Sequence, residues 1–252
     1  MKLNSNLISY FKRSITEVPT FWGRFPGNIS FTGKTVLDIG CGDGALCIDI
    51  ARKGAKKVIG IDTNKAMIEF AEGNLDQNFP ELKHIIEFRA TSIAELPNET
   101  SGFDIITSKS AFEHILDPAE CLKEIKLRLN PDSKAYIGFG PLYNSPLGDH
   151  GITKLIFGIR IPWAHSVFPE SFLVRKWNKK YPGNKIKSIS ELGLNMFSLT
   201  EFKNAFYESG LEVEYFKVNS STTITSQIFS LFQCLPFISE YFSHNIYCIL
   251  RK

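Results

Sequence analysis

A glycine-rich turn joins a short apolar run to a helical pattern early in the chain. The run Thr35–Ile39 is rich in β-forming residues, and Gly40, Gly42 and Gly44 follow it at alternate positions. Glycine adopts positive φ angles and lets a ligand approach the backbone closely. At the start of a helix, such a loop presents free backbone amides. The turn therefore predicts a strand, a ligand-binding loop and a helix, the repeating unit of an α/β fold.

The same alternation of strand and helix patterns continues along the chain. Near-continuous apolar strands separated by helices indicate a mostly parallel sheet with helices on both faces. The seven predicted strands are Thr35–Ile39, Lys57–Ile61, His84–Phe88, Phe103–Thr107, Ala135–Phe139, Leu211–Val218 and Asn245–Arg251. The predicted helices are Ala45–Lys53, Ala66–Leu75, Pro118–Leu129 and Leu199–Ser209, with one or two short helices in the first thirty residues.

The length of the chain and a break in the strand–helix alternation predict how the chain is divided into domains and segments. A chain of 252 residues holds one large domain or two small ones, and we expect one. From Gly140 to Ser190 the periodicity weakens, and an irregular stretch this long is usually functional. The expected parts are an N-terminal helical lid (1–32), a cofactor-binding core (33–140), a substrate-lid insertion (141–190) and the C-terminal part of the sheet (191–252).

Composition argues against several classes of protein. The net charge of +3, from 29 basic and 26 acidic residues, is too small to predict nucleic-acid binding from bulk charge alone. The cysteines are odd in number and form no Cys-x-x-Cys pair, which disfavours a disulfide framework or a zinc ribbon. No stretch reaches the ~18 apolar residues of a membrane-spanning helix. These features predict a cytoplasmic protein. The five cysteines are Cys41, Cys47, Cys121, Cys234 and Cys248.

Two acidic residues narrow the ligand. Asp62 ends the second predicted strand, where a carboxylate accepts both ribose hydroxyls of a nucleoside held over the loop. The segment Gly40-x-Gly42-x-x-Ala45 also matches the looser dinucleotide fingerprint. Asp38, however, lies two residues before the first glycine and would repel a pyrophosphate, whereas it would attract an ammonium group. A nucleoside joined to an amino acid is S-adenosylmethionine.

Three segments in order resemble a known family. Asp38-x-Gly40-x-Gly42-x-Gly44 followed by Asp62 resembles motifs I and II of the class I S-adenosylmethionine-dependent methyltransferases. Residues 91–97 are similar to the segment that follows the third strand of the family. Residues 103–108 and 112–115 resemble its fourth-strand motif and the Glu-His pair of its small-molecule branch. The resemblance implies a Rossmann-like, seven-stranded, mostly parallel sheet and S-adenosyl-L-methionine as the cofactor.

The family's motifs imply a role for several residues here. The glycines approach the cofactor with their backbone, Asp62 binds the ribose, and Asp38 orients the methionine end. Ser92 and Ile93 flank the adenine, although the family usually has an acidic residue at the position of Ser92. The predicted cofactor-binding residues are Asp38, Gly40, Cys41, Gly42, Gly44, Asp62, Thr63, Ser92, Ile93 and Ser108.

The resemblance also narrows the methyl acceptor. Methyltransferases of nucleic-acid amino groups usually carry [Asp/Asn/Ser]-Pro-Pro-[Tyr/Phe] after the fourth strand, where this chain has residues 108–111, Ser-Lys-Ser-Ala. The Pro-Cys pair of pyrimidine-carbon methyltransferases and the paired-glutamate loop of protein arginine methyltransferases are also missing. A small molecule or a glycan remains, and we expect methylation on oxygen.

A hydroxyl acceptor requires a base, and the insertion supplies candidates. His150, beside Asp149, is the first and His165 the second, because histidine accepts protons near neutral pH. Quinone-type O-methyltransferases of the family hold a divalent metal through acidic residues. The first of these positions is Ser110 here, so no metal site is predicted. Glu113-His114 is expected to open the helix after the fourth strand.

Other interpretations remain open at this point. They are a methyltransferase of protein or RNA, a nicotinamide-dependent oxidoreductase, and a non-catalytic protein on a methyltransferase-like scaffold. Residues Arg175–Lys187 contain six basic residues and no acidic one. This run is either a solvated face or a surface for an anionic acceptor or a lipid membrane, so peripheral membrane contact is allowed. Residues Phe11–Phe25 are expected to close over the cofactor. The sequence does not indicate an oligomeric state.

Overall fold

The computed structural model describes residues 4–219, 227, 229, 231, 232, 235 and 238–252. Its centre is a seven-stranded sheet with the order β3-β2-β1-β4-β5-β7-β6. The strands are β1 (Thr35–Ile39), β2 (Lys57–Asp62), β3 (Ile86–Ala90), β4 (Phe103–Lys109), β5 (Leu129–Phe139), β6 (Glu212–Val218) and β7 (Ile246–Arg251). Only β7 runs antiparallel to its neighbours β5 and β6. The predicted fold class, a mostly parallel Rossmann-like sheet, is confirmed.

Eight α-helices lie entirely within the described residues. They are α1 (Ser5–Trp22), α2 (Ala45–Arg52), α3 (Lys65–Asn78), α4 (Pro118–Arg128), α5 (Ile152–Phe157), α6 (Ala164–Val167), α7 (Glu170–Lys180) and α8 (Leu199–Glu208). Short 3-10 turns occupy Pro80–Leu82, Ile189–Leu192 and Ser239–Phe242.

Alternation along the strands divides the main core into two halves. In β1, Val36 belongs to the apolar cluster beneath α1, α2 and α3, whereas Leu37 and Ile39 belong to the cluster beneath α4 and α8. Successive side chains of a strand point to opposite faces, so each strand contributes to both clusters. The sheet is therefore covered on both faces, as near-continuous apolar strands require.

Most predicted elements occur within one or two residues of their expected bounds, with three corrections. The Glu113-His114 pair does not open a helix: it lies in a turn, and α4 begins at Pro118, where Asp117 caps the helix. Strand β5 begins at Leu129, because an irregular pairing with β4 lets the chain join the sheet before Ala135. The N-terminal region is one helix of 18 residues.

The insertion is more ordered than its sequence pattern predicts. It contains α5, α6 and α7, and its apolar residues form a third cluster separate from the two clusters of the sheet. Leu173 and Trp177 on α7 are buried there with Ile152 of α5. The helices are short and irregularly spaced, which is why no clear period was visible in the sequence. The members of this insertion core are Ile152, Leu173, Trp177, Ile186, Ile189 and Leu194.

Three further predictions concern composition. Among the described residues, no helix is long and apolar enough to cross a membrane. The described cysteines, at positions 41, 47, 121 and 248, are free thiols, and Cys234 lies outside the described residues. In the same part of the chain, no group of three or more His, Cys, Asp or Glu side chains is arranged to hold a metal ion.

Candidate functional site

A cleft of about 720 Å³ opens at the carboxyl ends of β1, β2 and β4. The strand order reverses between β1 and β4, because β2 and β3 lie on one side of β1 and β4 and β5 lie on the other. Ligands of open α/β sheets bind at this switch point. The volume is in the range of small-molecule sites, ~300–1,000 Å³.

The amides of the glycine loop are already engaged within the protein. Those of Gly40 and Cys41 both donate to the carbonyl of Ile61, at 2.8 and 2.9 Å. The amide of Gly42 donates to the Asp62 carboxylate at 2.9 Å. The amides of Gly44 and Ala45 donate to Cys41 and Asp43. The expectation of free amides is therefore wrong for these five, since the loop uses them to fix its own shape.

The three glycines of the loop meet two different structural needs. All have positive φ angles. A Cβ on Gly40 would lie 2.3 Å from Cβ of Ala111, and one on Gly44 would lie 2.6 Å from the Phe88 ring. A Cβ on Gly42 would have its nearest neighbour at 3.6 Å. Gly40 and Gly44 thus allow close packing, whereas Gly42 leaves open space beside the cleft.

Asp62 holds the end of β2 against the loop. Its carboxylate accepts hydrogen bonds from the Gly42 amide at 2.9 Å and from the Asn64 amide at 2.8 Å, one at each oxygen. A carboxylate oxygen has further acceptor capacity. The side chain lines the cleft, so it is oriented by the protein and still able to receive two hydroxyl groups.

Asp38 lies at the floor of the cleft, and its residue is 1% exposed. Its two oxygens accept hydrogen bonds from the Thr107 hydroxyl at 2.9 Å and from the Cys47 thiol at 3.3 Å. Burial raises the pKa of Asp38 to about 7. A carboxyl in this state becomes ionised most readily when a cation binds next to it.

The third predicted contact region lies after β3. Thr63, Ser92 and Ile93 line the cleft. The hydroxyl of Ser92 donates to the carboxylate of Glu95 at 3.0 Å, and the Ser92 amide donates to the same oxygen at 3.2 Å. An acidic side chain therefore stands beside this wall, three residues after the position where the family usually has one.

Three features of the cleft lie outside the predicted site residues, although Ser14 and Val18 belong to the segment Phe11–Phe25 that is expected to close over the cofactor. Tyr10, Ser14 and Val18 of α1 form part of its wall. Lys109 lines it at the end of β4, with its ammonium 3.5 Å from the Glu17 carboxylate. These positions follow no motif, and the helical spacing of the three α1 residues was the only available signal.

Three buried carboxyls interact electrostatically with Lys109. Burial raises the pKa of Asp38, Asp43 and Glu113, and the positive charge of Lys109 opposes that rise at all three. For Glu113 the pKa reaches about 8. One lysine therefore supplies positive charge to a site that is rich in acidic groups.

His114 is the third of these features, and it too lines the cleft. Its Nδ1 lies 2.6 Å from the carbonyl oxygen of Gly193. Because a carbonyl only accepts, Nδ1 is the donor in this contact, and in the tautomer that it selects the lone pair lies at Nε2. Asn195 fixes the same turn, since its amide group donates to the carbonyls of Phe112 and Ile115.

The protein family that matches this sequence is consistent with the geometry of the cleft. The methyltransferase domain family matches residues 30–138, the segment that contains β1 to β5 and the cleft's glycine loop. Residues 30–138 are a methyltransferase domain. The match agrees with the predicted methyltransferase family over this part of the chain.

Curated relatives of this methyltransferase domain match about two fifths of the chain. The ubiquinone biosynthesis O-methyltransferase of Acinetobacter baylyi is 37% identical over 105 residues, 41% of this chain and 42% of the relative. The protein of the same name from Coxiella burnetii (strain Dugway 5J108-111) is 33% identical over 108 residues, 43% of this chain and 44% of the relative. The matched region thus spans less than half the length of either relative.

Solved structures show the same fold over nearly the whole chain. An S-adenosylmethionine-dependent methyltransferase from Mesorhizobium loti aligns with a TM-score of 0.58 at 18% identity, covering 94% of this chain and 97% of that one. The magnesium protoporphyrin IX methyltransferase from Synechocystis PCC 6803, solved with bound S-adenosylhomocysteine, aligns with a TM-score of 0.55 at 14% identity, covering 97% and 84%. The methyltransferase fold therefore extends beyond the matched domain.

Most of the predicted cofactor-binding residues line the cleft of the methyltransferase domain, and two do not. Gly44 packs against Phe88 instead. Ser108 is buried, and its hydroxyl donates to the carbonyl of Ile39 at 2.9 Å. Both lie one layer beneath the surface that a ligand would touch. The lining residues from the predicted set are Asp38, Gly40, Cys41, Gly42, Asp62, Thr63, Ser92 and Ile93.

None of the three predicted catalytic residues lines the cleft, although the ring of His150 packs against His114, which does. Asp149 accepts hydrogen bonds from the amides of Gly151 and Thr153 at the start of α5. His165 is buried and bonded to the carbonyl of Tyr143. His150 is bonded to the carbonyl of Pro141 at 2.9 Å. None of residues 141–190, all of which are described, lines the cleft.

Proposed function

We propose that this protein is an S-adenosylmethionine-dependent methyltransferase that acts on the oxygen of a small molecule or glycan. The observation that carries the proposal is the pairing of Asp38 and Asp62 in one cleft, at the switch point of the sheet. One carboxylate suits a ribose and the other suits an ammonium. Few biological ligands other than a nucleoside joined to an amino acid need both carboxylates.

The chain's own residues fit such a donor. Asp62, held by two amides, receives the ribose hydroxyls. Asp38, buried and hydrogen-bonded, receives the ammonium of the methionine end. Ile93 and Met67 form an apolar part of the cleft wall. When bound, S-adenosylmethionine supplies a methyl group on a positively charged sulfur, and the acidic groups of this site favour a cation.

The engaged loop amides speak against a dinucleotide. A pyrophosphate binds through free amides at a helix N-terminus, and here the amides of Gly40, Cys41 and Gly42 already have partners. Asp38 adds negative charge at the same place. These features favour the methyl donor over a nicotinamide cofactor.

His114 is the residue best placed to remove a proton from the acceptor. It lines the cleft, it is exposed, and its Nε2 keeps a lone pair. His150 packs edge-on against it, with ring centroids 5.2 Å apart, and stays a second candidate. Together they form a histidine pair at the acceptor end. A positioned base of this kind contributes about 10²–10⁴-fold to rate.

Two parts of the proposal draw on other observations. The two relatives named above are O-methyltransferases by name, which favours oxygen as the acceptor atom. The four described cysteines are free thiols, which favours a reducing, cytoplasmic location.

The first test is calorimetric titration with S-adenosylmethionine, S-adenosylhomocysteine and NAD. We expect the adenosyl compounds to bind and Asp62→Ala to weaken that binding about ten- to hundredfold, because hydrogen bonds to a charged group are worth ~1.5–3 kcal/mol. Asp76→Ala is the control, since that carboxylate pairs with Lys83 on the exposed side of α3. Binding of NAD alone, or a change below about twofold in Asp62→Ala, would contradict the proposal.

A second test separates donor binding from the base. Transfer of a labelled methyl group to a panel of phenolic and glycan acceptors is measured for His114→Ala, His150→Ala and the exposed control His84→Ala. We expect His114→Ala to lose about 10²–10⁴-fold in turnover with an unchanged dissociation constant for the donor. A larger loss in His150→Ala would move the base to that residue.

A further inference from the structure

The insertion carries an exposed surface that combines positive charge with aliphatic side chains. We define the insertion surface by Leu155, Ile159 and Val167 together with the basic residues of α7. We propose that the insertion surface docks on an anionic lipid bilayer. This inference does not rest on the methyl-transfer function.

Charge is divided unevenly between the insertion and the rest of the chain. Residues 141–190 contain eight Lys or Arg and two Asp or Glu, a net charge of +6, whereas the whole chain has +3. The other residues therefore sum to −3. Both acidic side chains are used within the fold: Asp149 accepts a hydrogen bond from the Thr153 amide of α5, and Glu170 accepts hydrogen bonds from Ser188 and Ile189.

All eight basic residues of the insertion are exposed. Within the described part of the chain, none of the twelve ion pairs includes any of them. Their charges are thus available to an outside partner. They are Lys154, Arg160, Arg175, Lys176, Lys179, Lys180, Lys185 and Lys187.

Large aliphatic side chains are exposed among these charges. Leu155 is 49% exposed, Ile159 63% and Val167 73%. Single exposed aliphatic residues are common on protein surfaces. Three within thirteen residues, bordered by lysine and arginine, have the composition of a peripheral membrane contact, where the apolar groups enter the interface and the cations meet lipid headgroups.

The two kinds of side chain lie on one continuous surface. Lys180 and the Tyr181 hydroxyl donate to backbone carbonyls of Ile156 and Leu155, which joins the end of α7 to the end of α5. On the other side, the rings of Phe157, Phe168 and Phe172 pack together with centroids 5.4 to 6.4 Å apart.

These rings also anchor the basic side chains. Arg175 and Lys176 lie over the ring of Phe172, at 5.7 and 5.4 Å from its centroid. Val167 precedes Phe168 in the chain. The phenylalanine cluster thus connects the aliphatic residues to the charged face of α7.

A bilayer fits this surface better than RNA does. Single-stranded RNA is recognised by stacking of bases on exposed aromatic rings. Here the three phenylalanine rings are half-buried against each other, and the exposed apolar groups are aliphatic. Aliphatic side chains have no π-face for a base, whereas they insert readily among acyl chains.

The test is flotation of the full chain with two kinds of vesicle. One is phosphatidylcholine alone, and the other is phosphatidylcholine in which about a third of the lipid is the anionic phosphatidylglycerol. We expect binding to the anionic vesicles only, weakening as salt is raised. The double variant Lys176→Glu and Lys180→Glu is expected to lower the partition coefficient by about tenfold or more, because each basic residue near an anionic surface adds roughly a factor of five.

Two matched controls accompany it. Lys56→Glu and Lys203→Glu reverse the same charge elsewhere, and Lys203 also lies over an aromatic ring, that of Phe216 at 5.7 Å. Val167→Asp is compared with Leu127→Asp, a 67% exposed leucine on α4. We expect Val167→Asp to weaken flotation and Leu127→Asp to leave it unchanged.

Three results would overturn the proposal. The first is equal binding to neutral and anionic vesicles. The second is an equal effect of the test and control charge reversals. The third is a salt-dependent complex with single-stranded RNA in the absence of flotation. Far-ultraviolet circular dichroism and titration with S-adenosylhomocysteine check that each variant is folded. Membrane binding itself is judged from flotation alone.

Discussion

At the scale of single residues, the site depends on how each carboxylate is held. Asp62 is partly exposed and receives two backbone amides, whereas Asp38 is buried and receives one hydroxyl and one thiol. A thiol is a weak donor, so burial dominates at Asp38 and its pKa rises to about 7. The two residues therefore respond differently to pH.

Donor affinity is predicted to increase with pH because of Asp38. Its pKa is raised to about 7, so the free protein is largely protonated there at pH 6 and must release that proton to bind an ammonium. Between pH 6 and 7.5 the dissociation constant of S-adenosylhomocysteine should fall by about five- to tenfold. Calorimetry at both pH values measures this.

Asp38→Asn is the companion variant for that measurement. It removes the titrating proton, so its affinity is expected to be weaker and independent of pH over the same interval. A wild-type affinity that falls with rising pH would contradict the role of Asp38. The same raised pKa has a stability consequence: the protein loses free energy of unfolding as pH rises from about 4 through 7, and Asp38→Asn should lessen that loss.

Gly44 is predicted to matter for stability rather than for ligand contact. Gly44→Ala places a methyl group at a φ of +79°, 2.6 Å from the Phe88 ring. Strain and overpacking together should lower the free energy of unfolding by about 2–4 kcal/mol. Gly27→Ala is the control, because its φ is +75° and nothing lies within 4 Å of the added carbon. Urea denaturation of both variants gives the comparison, and equal losses would show that strain alone acts.

The sequence motif predicted Asp38 and Asp62 as cofactor-binding residues, and both line the cleft, but it treated all three glycines alike. A motif records which residues permit a backbone shape, and it does not say what lies opposite each Cα. His114 was quoted with the family's Glu-His pair yet assigned to a helix. The hydrogen bond of its ring to Gly193, seventy-nine positions away, is a tertiary contact that the motif does not contain.

At the scale of elements, α1 is both a structural support and a wall of the site. One side of the helix buries Phe11, Val18 and Phe21, and α1 packs mainly against α2. The indole of Trp22 donates to the Asp49 carboxylate on α2 at 2.8 Å. The sequence predicted helical structure here, and it could not predict the docking because Asp49 belongs to another element.

Trp22→Phe is predicted to weaken both stability and donor binding. The variant loses a hydrogen bond to a charged group, worth about 1.5–3 kcal/mol, and loosens the wall that Tyr10 and Ser14 contribute to the cleft. Trp163→Phe is the matched control, because its indole donates to the neutral carbonyl of Tyr241 on the surface. Denaturation and donor titration are measured for both. Equal behaviour of the two variants would contradict the assignment.

Local signals decided how well each element could be predicted. The start of α8 was predicted correctly, because Ser198 and Glu201 form a capping box whose residue types are visible in the sequence. Strand β3 begins at Ile86 rather than His84, since a 3-10 turn at Pro80–Leu82 delays its pairing with β2. The helices of the insertion were missed because their stability comes from packing among three short segments.

At the scale of the whole molecule, the insertion is a second packing unit on a methyltransferase sheet. Its core includes Leu173, Trp177 and Ile189 and is separate from the two clusters that bracket the strands. The insertion lies between β5 and α8 in the chain, so it does not change the order of the strands in the sheet. Its predicted role as a substrate lid stays a prediction.

Trp177→Ala is predicted to unfold the insertion locally. The substitution removes the largest buried side chain of that core, a loss of about 3–5 kcal/mol, and also a hydrogen bond to the carbonyl of Asn184. Hydrogen exchange should speed up in α5 and α7 while β1, β2 and β4 stay protected. Donor affinity should be unchanged, since residues 141–190 do not line the cleft. Uniform loss of protection across the sheet would show a single cooperative unit.

The uneven division of charge also has a kinetic side. With +6 on the insertion and −3 on the remaining residues, the molecule has a permanent electric dipole that points from the sheet toward α7. In the field of any anionic surface, that dipole turns the protein before contact is made, so most encounters begin with the insertion leading. Orientation would then be selected during approach, and the rate of association, more than the lifetime of the complex, would depend on ionic strength.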